Sequence, residues 1–182
     1  MKATQQLRDE HEEIKLMLSI MEKTINKLNN GVVLDIEYME KIIDFIKGFA
    51  DKCHHGKEED VLFPALIKNG MRKDIGPIAV MLNEHQQGRA FVKALSKALD
   101  DFKNRNTKAL HEIVENAMNY VNLLRSHIAK ENDVLFMMAD KLLSETEQNE
   151  LAEAFEKIEI EKIGLGKHIE YHNLLKNLEL FA

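Results

Sequence analysis

Apolar residues recur at alternating steps of three and four positions along four long stretches of the chain. This is the spacing of a helix that turns one face toward a core, and each predicted helix is about 25 to 33 residues long. The breaks between them are short and lie at Asn29–Gly31, Asn69–Gly70, Gly76–Pro77 and Asn104–Asn106. Because short connections make neighbouring helices antiparallel, the pattern predicts an all-α fold, an up-down-up-down four-helix bundle.

A C-terminal helical extension, residues 143–182, is predicted to pack on the bundle formed by residues 1–142. Residues 144–147 have the Ser-x-x-Glu spacing of a capping box, which starts a fifth helix. A Gly-Leu-Gly sequence at 164–166 interrupts this helix, and a last amphipathic piece covers 167–180.

The composition indicates the cellular compartment of the protein and excludes some classes of binding partner. The net charge of −6 comes from 31 acidic and 25 basic residues that are interspersed along the chain, which argues against a nucleic-acid partner. No apolar run approaches the roughly 20 residues that span a bilayer, so no membrane association is expected. Cys53 is the single cysteine, which excludes an internal disulfide and favours a reducing compartment. We therefore expect a soluble, cytoplasmic protein.

Two ten-residue segments of the chain read as copies of one another. They are His54–Phe63 and His127–Phe136, and seven of their ten positions are identical. A Glu-His pair recurs upstream at nearly the same offset, at Glu10–His11 and Glu84–His85. The chain therefore looks like two related halves, each with one upstream histidine and one downstream His-x-x-x-Glu.

These repeated histidines and glutamates fall on the apolar stripes, where an unpaired polar group costs about 1 to 3 kcal/mol. Hydrogen bonding explains a single buried histidine, but it is a poor explanation for six matched residues. The i, i+4 spacing places imidazole and carboxylate on one helix face, so that each glutamate of two facing pairs can bridge two ions. Donors of this kind suit iron, manganese or zinc, and a bridged pair with open positions favours iron. The predicted metal ligands are His11, His54, Glu58, His85, His127 and Glu131.

Other histidines of the chain fit the same pattern less well. His111 and Glu115 have i, i+4 spacing but lie beside the stripe, which indicates an exposed pair. His55 and Glu59 form a competing register one residue along from His54. Because the counterpart of His55 in the repeat is Ile128, His54 and Glu58 are the better pair, and His55 remains an additional or supporting group.

His168 and His172 lie one turn apart in the C-terminal extension. A helix folded back over the bundle could offer one of them as a fifth imidazole, or as a lid over an open coordination position. The alternative is a surface helix or a homodimer contact in which these histidines are incidental.

The chain resembles the hemerythrin-like, or HHE cation-binding, domain family over roughly residues 5–140. The resemblance rests on His54-x-x-x-Glu58 followed by Asp-Val-Leu-Phe-Pro, on Gly-Pro-Ile at 76–78 with Glu-His at 84–85, and on the second His-x-x-x-Glu. It implies a non-haem pair of iron ions with an oxo or hydroxo bridge. It also implies that Glu58 and Glu131 bridge the irons, and that the terminal ligands are His11, His54, His85 and His127.

The chain departs from the oxygen-carrying hemerythrins, which have five histidines, two of them as His-x-x-x-His on the third helix. At that spacing from His85 the chain has Met81 and Arg89, and its second bridge is a glutamate at i+4 rather than an aspartate at i+5. Both changes resemble bacterial HHE proteins that sense O2 or NO, or that help to repair damaged iron–sulfur centres. The resemblance thus implies a protein that binds or senses O2 or NO rather than one that transports O2, and the sequence shows no general acid or substrate pocket that would favour turnover. The alternatives are a di-iron oxidoreductase, a cluster-repair protein, or a metal-free helical interaction protein.

Overall fold

In the computed structural model of the protein, residues 2–181 are described, with the backbone alone for Phe181. Within this range the chain is helical and contains no strand, which confirms the all-α prediction. The helices are α1 Ala3–Asn29, α2 Ile36–Phe45, π1 Ile46–His55, π2 Glu58–Leu62, α3 Phe63–Lys68, α4 Pro77–Lys103, α5 Ala109–Lys130, π3 Glu131–Leu135, α6 Phe136–Leu142, α7 Glu145–Lys162 and α8 Lys167–Phe181.

The helix ends follow local sequence signals. The Asp35 side chain accepts a hydrogen bond from the Tyr38 backbone N–H and caps α2. Gly31 follows the end of α1 with φ +84°, a left-handed conformation that glycine adopts without strain. At the start of α7, Ser144 and Glu147 form the predicted capping box.

The second and fourth long helices change from α to π winding at the positions of the predicted ligands. Residues 36–68 form one continuous helix in which π1 and π2 follow α2, and α5 continues into α6 through π3. A π turn holds one more residue than an α turn, so it changes which side chains face the core, and such turns are frequent at functional sites. The periodicity of the sequence did not predict these segments.

Two apolar clusters fill the bundle, one on each side of the inward polar residues along every long helix. In α1, for example, Leu7 belongs to one cluster and Ile14 to the other, with His11 between them. In α4, Met81 and Val92 belong to different clusters on either side of His85. The polar residues therefore form a layer inside an otherwise apolar core, shielded from water at both ends.

The C-terminal helices pack on the bundle and take part in both clusters. Phe155 of α7 is buried in one cluster, and Leu175 and Leu178 of α8 are buried in the other. The Tyr38 hydroxyl donates a hydrogen bond of 2.7 Å to the backbone carbonyl of Leu178. Among residues 2–181, no helix has the length and apolar character needed to cross a membrane.

Candidate metal centre

The four long helices bring all six predicted ligands together, with the His55 side chain as a seventh. Each of the seven residues is buried, and His55, at 4 %, is the most exposed of them. Their donor atoms form two groups, and within each group one atom from every residue lies within 4.8 Å of the others. The first group is His11, His54, Glu58 and Glu131, and the second is His55, Glu58, His85 and His127.

The two carboxylates lie between the groups. Glu58 places Oε1 3.7 Å from Nε2 of His54 and Oε2 3.4 Å from Nε2 of His85. Glu131 places Oε2 3.1 Å from Nε2 of His11 and 3.2 Å from Nε2 of His127. Each glutamate thus reaches imidazoles of both groups, which is the geometry needed for two bridging carboxylates.

Most of the inward-facing donor atoms make no hydrogen bond of normal geometry, although Glu131 Oε2 lies 3.1 and 3.2 Å from Nε2 of His11 and His127. These atoms are Nε2 of His11 and His54, both ring nitrogens of His55, and all four carboxylate oxygens of Glu58 and Glu131. Buried polar atoms in folded proteins are nearly always paired, because each unpaired one costs about 1 to 3 kcal/mol. Nitrogen and oxygen donors that converge without partners fit a pair of metal ions, one in each group.

Two glutamates hold the outer nitrogens of the His-x-x-x-Glu histidines. Nδ1 of His54 lies 2.8 Å from Glu10 Oε2, and Nδ1 of His127 lies 3.0 Å from Glu84 Oε2. A carboxylate in this position keeps the proton on Nδ1 and turns the Nε2 lone pair inward, as in the carboxylate–histidine–metal arrangement of many metalloproteins.

The two single histidines are held from the neighbouring repeats in the same way. Nδ1 of His85 lies 2.7 Å from Glu59 Oε1, and Nδ1 of His11 lies 2.9 Å from Asn132 Oδ1. Glu59 and Asn132 occupy equivalent positions, directly after Glu58 and Glu131 respectively. All four imidazoles therefore have a fixed orientation before any ion binds.

A lysine bonds to each of the two glutamates, Glu10 and Glu84, that hold the outer nitrogens of His54 and His127. Lys57 Nζ donates to Glu10 Oε1 at 2.5 Å, and Lys130 Nζ donates to Glu84 Oε1. The two lysines differ in burial, since the Lys57 side chain is fully buried and that of Lys130 is 38 % exposed. Lys57 also contacts Glu159 of α7 at 3.1 Å, so the C-terminal extension covers this half of the site.

Repeated phenylalanines stack on the two single histidines. The ring of Phe63 lies 6.0 Å from that of His85 at an interplanar angle of 16°, and the ring of Phe136 lies 5.4 Å from that of His11 at 13°. Phe63 and Phe136 are the last residues of the two repeated segments. The approximate twofold relation of the halves thus extends to the apolar wall of the site.

His55 breaks this twofold relation. Its ring stacks on that of His85 with centroids 3.9 Å apart, whereas the equivalent position in the other half is Ile128. Burial lowers the pKa of His55 well below its ordinary value, and the charges of neighbouring imidazoles, His85 first, act in the same direction. His55 is therefore neutral at pH 7, which leaves it able to act as a nitrogen ligand.

The charges within the site favour the ionised glutamate. Burial alone would raise the pKa of Glu131, but the charge of His127 and the neighbouring His11 hold it well below its ordinary range. Burial likewise acts to lower the pKa of His127, yet the charges of Glu131 and Glu58 and the bond to Glu84 raise it to about 10. A cation would replace the proton that these groups attract.

The remaining histidines lie away from the two groups. The ring of His168 lies 5.1 Å from that of Phe49, and Nδ1 of His172 lies 3.5 Å from Glu13 Oε1 on α1. His111 is exposed, as its position beside the stripe indicates. Within residues 2–181, the fifth imidazole next to the donor atoms is that of His55, on π1, and not one from the C-terminal extension.

Sequence reasoning did not identify the outer layer of this site. Glu10, Glu59, Glu84 and Asn132 each hold an imidazole, although none was predicted to have a role. A signal was present, because each residue adjoins a ligand in the repeated segments. Adjacency in the sequence does not show this role, because each of these side chains reaches an imidazole on another helix.

Comparison with known proteins agrees with this site. Residues 2–139 match the family described as the hemerythrin HHE cation-binding domain. The chain is also 25% identical over 162 residues to the uncharacterized proteins Rv1995 of Mycobacterium tuberculosis and Mb2018 of Mycobacterium bovis. That similarity covers 89% of this chain and 63% of each relative, so the chain spans less than two thirds of the length of these relatives.

The helical fold and the buried His/Glu groups define a metal-binding helical protein. The chain belongs to the hemerythrin HHE cation-binding domain family, as the resemblance of its motifs predicted.

Proposed function

We propose that this protein holds two iron ions and uses them to bind or sense O2 or NO. The observation that carries the proposal is the pair of donor groups that share Glu58 and contain unpartnered buried nitrogen and oxygen atoms. His55, His85 and His127 would hold one ion, and His11 and His54 the other, with Glu58 and Glu131 between them.

Mixed imidazole and carboxylate donors without a thiolate suit iron, manganese or zinc, and iron is preferred because two carboxylates shared between the groups favour a bridged iron pair with open positions. Cys53, the single thiol, is buried, and its pKa is raised by that burial to about 12, so it is not a ready ligand. When bound, an iron pair supplies the redox chemistry that O2 and NO require. The buried thiol also favours the cytoplasm as the location of the protein.

The protein orients the donors and excludes water. Four outer hydrogen bonds fix the imidazoles, and the apolar clusters on both sides keep water and protons scarce. We also propose that the four long helices run up-down-up-down and that residues 143–182 form an extension on a bundle made of residues 1–142.

Metal analysis tests the site. We expect about two iron ions per chain in the wild-type protein, and fewer than one in Glu58→Gln, because both groups lose a shared ligand. Glu115→Gln is the matched control, since this residue lies outside both groups. A single ion that Glu58→Gln leaves in place would contradict the proposal.

The function is tested on the reduced, iron-loaded protein. Optical spectra recorded before and after O2 and NO should show stoichiometric, reversible adducts. Sustained consumption of NO or peroxide in the presence of a reductant would instead favour the alternative, a di-iron oxidoreductase. Restoration of a damaged iron–sulfur protein, with loss of iron from this chain, would favour cluster repair.

A further inference from the structure

A group of apolar side chains is exposed on the outer surface of π3 and α6. Among residues 2–180, twelve large hydrophobic side chains remain exposed, and four of them lie within nine positions of one another. They are Val134, Met137, Met138 and Leu142, with exposed fractions of 46, 50, 37 and 40 %. A contiguous apolar patch on a surface of this kind marks a site of protein interaction.

These four residues belong to a regular exposed face. Exposed residues occur in pairs every four positions, at 133–134, 137–138 and 141–142, and the residues between these pairs are buried or half-buried. Positions four apart lie one turn apart on the same side of a helix, so the pairs form two rows along the helix. The apolar row is Val134, Met138 and Leu142, and the mixed row beside it is Asp133, Met137 and Lys141.

The beginning of α4 extends this patch. Glu84 of α4 bonds to Lys130 of α5, and a Cβ on Gly88, one turn further along α4, would lie 3.6 Å from Leu124. The two helices therefore run in opposite directions at this point. Val80 lies one turn before Glu84, which places it beside the start of the apolar row, and its side chain is 43 % exposed.

Two opposite charges flank the patch at equal distances from its centre. Asp133 and Lys141 are both exposed, and neither forms an ion pair with another residue in the part of the chain that the structure describes. They are eight positions apart, about 12 Å along the helix, which is too far for them to pair with each other. Lys97 and Asp101, by contrast, are four positions apart and form an ion pair of 2.6 Å.

We propose that this face, formed by π3, α6 and the start of α4, is the interface of a symmetric dimer of the chain. In a twofold dimer, a residue that meets a second residue of the other copy is itself met by that residue's counterpart. With the two α6 helices antiparallel, Val134 packs against Leu142 of the second copy, and Leu142 against its Val134. In the same arrangement Asp133 and Lys141 form two ion pairs between the copies.

The symmetry of both rows favours a second copy of the chain over an unrelated partner. The charges of the mixed row lie four positions on either side of Met137, and the outer residues of the apolar row lie four positions on either side of Met138. One twofold axis beside these two methionines therefore matches apolar with apolar and acid with base. A surface made for a different protein has no need of this self-complementarity.

The exposed apolar residues of the C-terminal extension do not form a comparable face. Ile169 of α8 is 66 % exposed. One turn before it, Leu165 lies in the turn between α7 and α8, and one turn after it stands the polar Asn173. No apolar row therefore continues from Ile169 along α8, and a dimer contact there lacks the symmetry of the α6 face.

The interface lies on the opposite side of π3 from the metal centre. Glu131 is buried among the donor groups, whereas Asp133 and Val134 are exposed. The inference thus goes beyond the proposed function and does not depend on it. We expect variants of the exposed face to keep the iron content of the wild-type protein.

Sedimentation of the full-length, iron-loaded chain over a range of concentrations tests the dimer. Met138→Glu should raise the dissociation constant about tenfold or more, because it buries an unpaired charge at the centre of the interface. The matched control is Ile169→Glu, which places the same charge on the exposed face of α8 and should leave the dissociation constant unchanged.

Charge reversal tests the arrangement of the two copies. Asp133→Lys and Lys141→Asp should each raise the dissociation constant about tenfold at low ionic strength, because two attractive pairs become two repulsive ones. An equal mixture of the two variants should form a heterodimer of wild-type affinity, since every lysine at these positions then faces an aspartate. The control pair, Lys97→Asp and Asp101→Lys, lies outside the face and should change neither the affinity nor the pairing.

The outcomes are distinct for the interface and for the metal centre. A chain that stays monomeric at all concentrations overturns the interface, and this includes the case in which the patch binds a different protein. A dimer that Ile169→Glu dissociates and Met138→Glu does not also overturns it. Iron content measured on the same samples tests the proposed function separately, because a dimer with fewer than two ions per chain contradicts that function and leaves the interface in place.

Discussion

The carboxylate of Glu10 accepts a hydrogen bond of 2.8 Å from Nδ1 of His54, although it adjoins a different histidine in the sequence. Glu84 holds His127 in the same way from the other half of the chain. Each helix that supplies a single histidine therefore also orients the histidine of its neighbour. The metal-binding geometry depends on pairs of helices, and both halves of the sequence encode it.

Glu10→Gln and Glu84→Gln should lower the metal affinity by similar factors. They should lower the free energy of unfolding by different amounts. Loss of either outer carboxylate lowers metal affinity by about 10- to 100-fold. In Glu10→Gln the fully buried Lys57 loses a charged partner, so the free energy of unfolding should fall by about 3 kcal/mol. In Glu84→Gln the loss should be about 1 kcal/mol or less, because Lys130 is partly exposed.

Denaturant unfolding and metal titration of both variants check this prediction. Equal losses of stability would contradict the difference in burial between the two halves, and unchanged metal affinity would exclude a role for these carboxylates in orienting the imidazoles.

Glu10 should also make stability depend on pH in the acid range. Burial raises its pKa, but the hydrogen bond to His54 and the charges of His54 and Lys57 outweigh this and lower it to about 2. Because the folded pKa lies below the unfolded one, the contribution is complete above about pH 4.5 and is lost as the pH falls toward 2.

Urea unfolding of the chelator-treated protein at several pH values measures this slope. The slope should be shallower in Glu10→Gln over the same range. An identical slope in the two proteins would show that other groups govern acid unfolding.

His55→Ile should weaken metal binding by the second donor group and stabilise the metal-free protein. The variant removes a buried imidazole without hydrogen bonds, so the metal-free protein should gain about 1 kcal/mol or more of stability. Bound iron should fall from two ions per chain toward one, because the second group loses a nitrogen donor. The control, His111→Gln, changes an exposed histidine and should alter neither quantity. Retention of two ions in His55→Ile would exclude His55 as a ligand.

Two glycines should respond in opposite ways to alanine. At Gly48 a Cβ would lie 1.8 Å from the Tyr171 hydroxyl oxygen, so Tyr171 must move and α8 should loosen, at a cost of about 1 to 3 kcal/mol. At Gly56 a Cβ would meet Ile158 at 3.7 Å, and alanine should stabilise the helix by up to about 1 kcal/mol. Denaturant unfolding and limited proteolysis near residues 163–166 measure both effects. Faster cleavage in Gly56→Ala than in Gly48→Ala would contradict the packing of α8.

The sequence by itself determined the helices, their ends and the set of inward donors. Helical periodicity and caps such as Asp35 and Ser144 act within a few residues, so they can be read without knowledge of the fold. The six donors followed from the same periodicity and from the repeat, and the structure brings all six together.

Tertiary structure decided what depends on contacts between helices. The π winding before and after Gly56 accompanies the burial of two successive histidines, His54 and His55, and the apolar spacing of the sequence does not predict it. The bond between Glu10 and His54 likewise requires the helices to be in place. The physical reason for this difference is the sequence separation of the interactions. A helix forms through bonds between neighbours in the chain, whereas a site forms from side chains that meet only after the helices have packed.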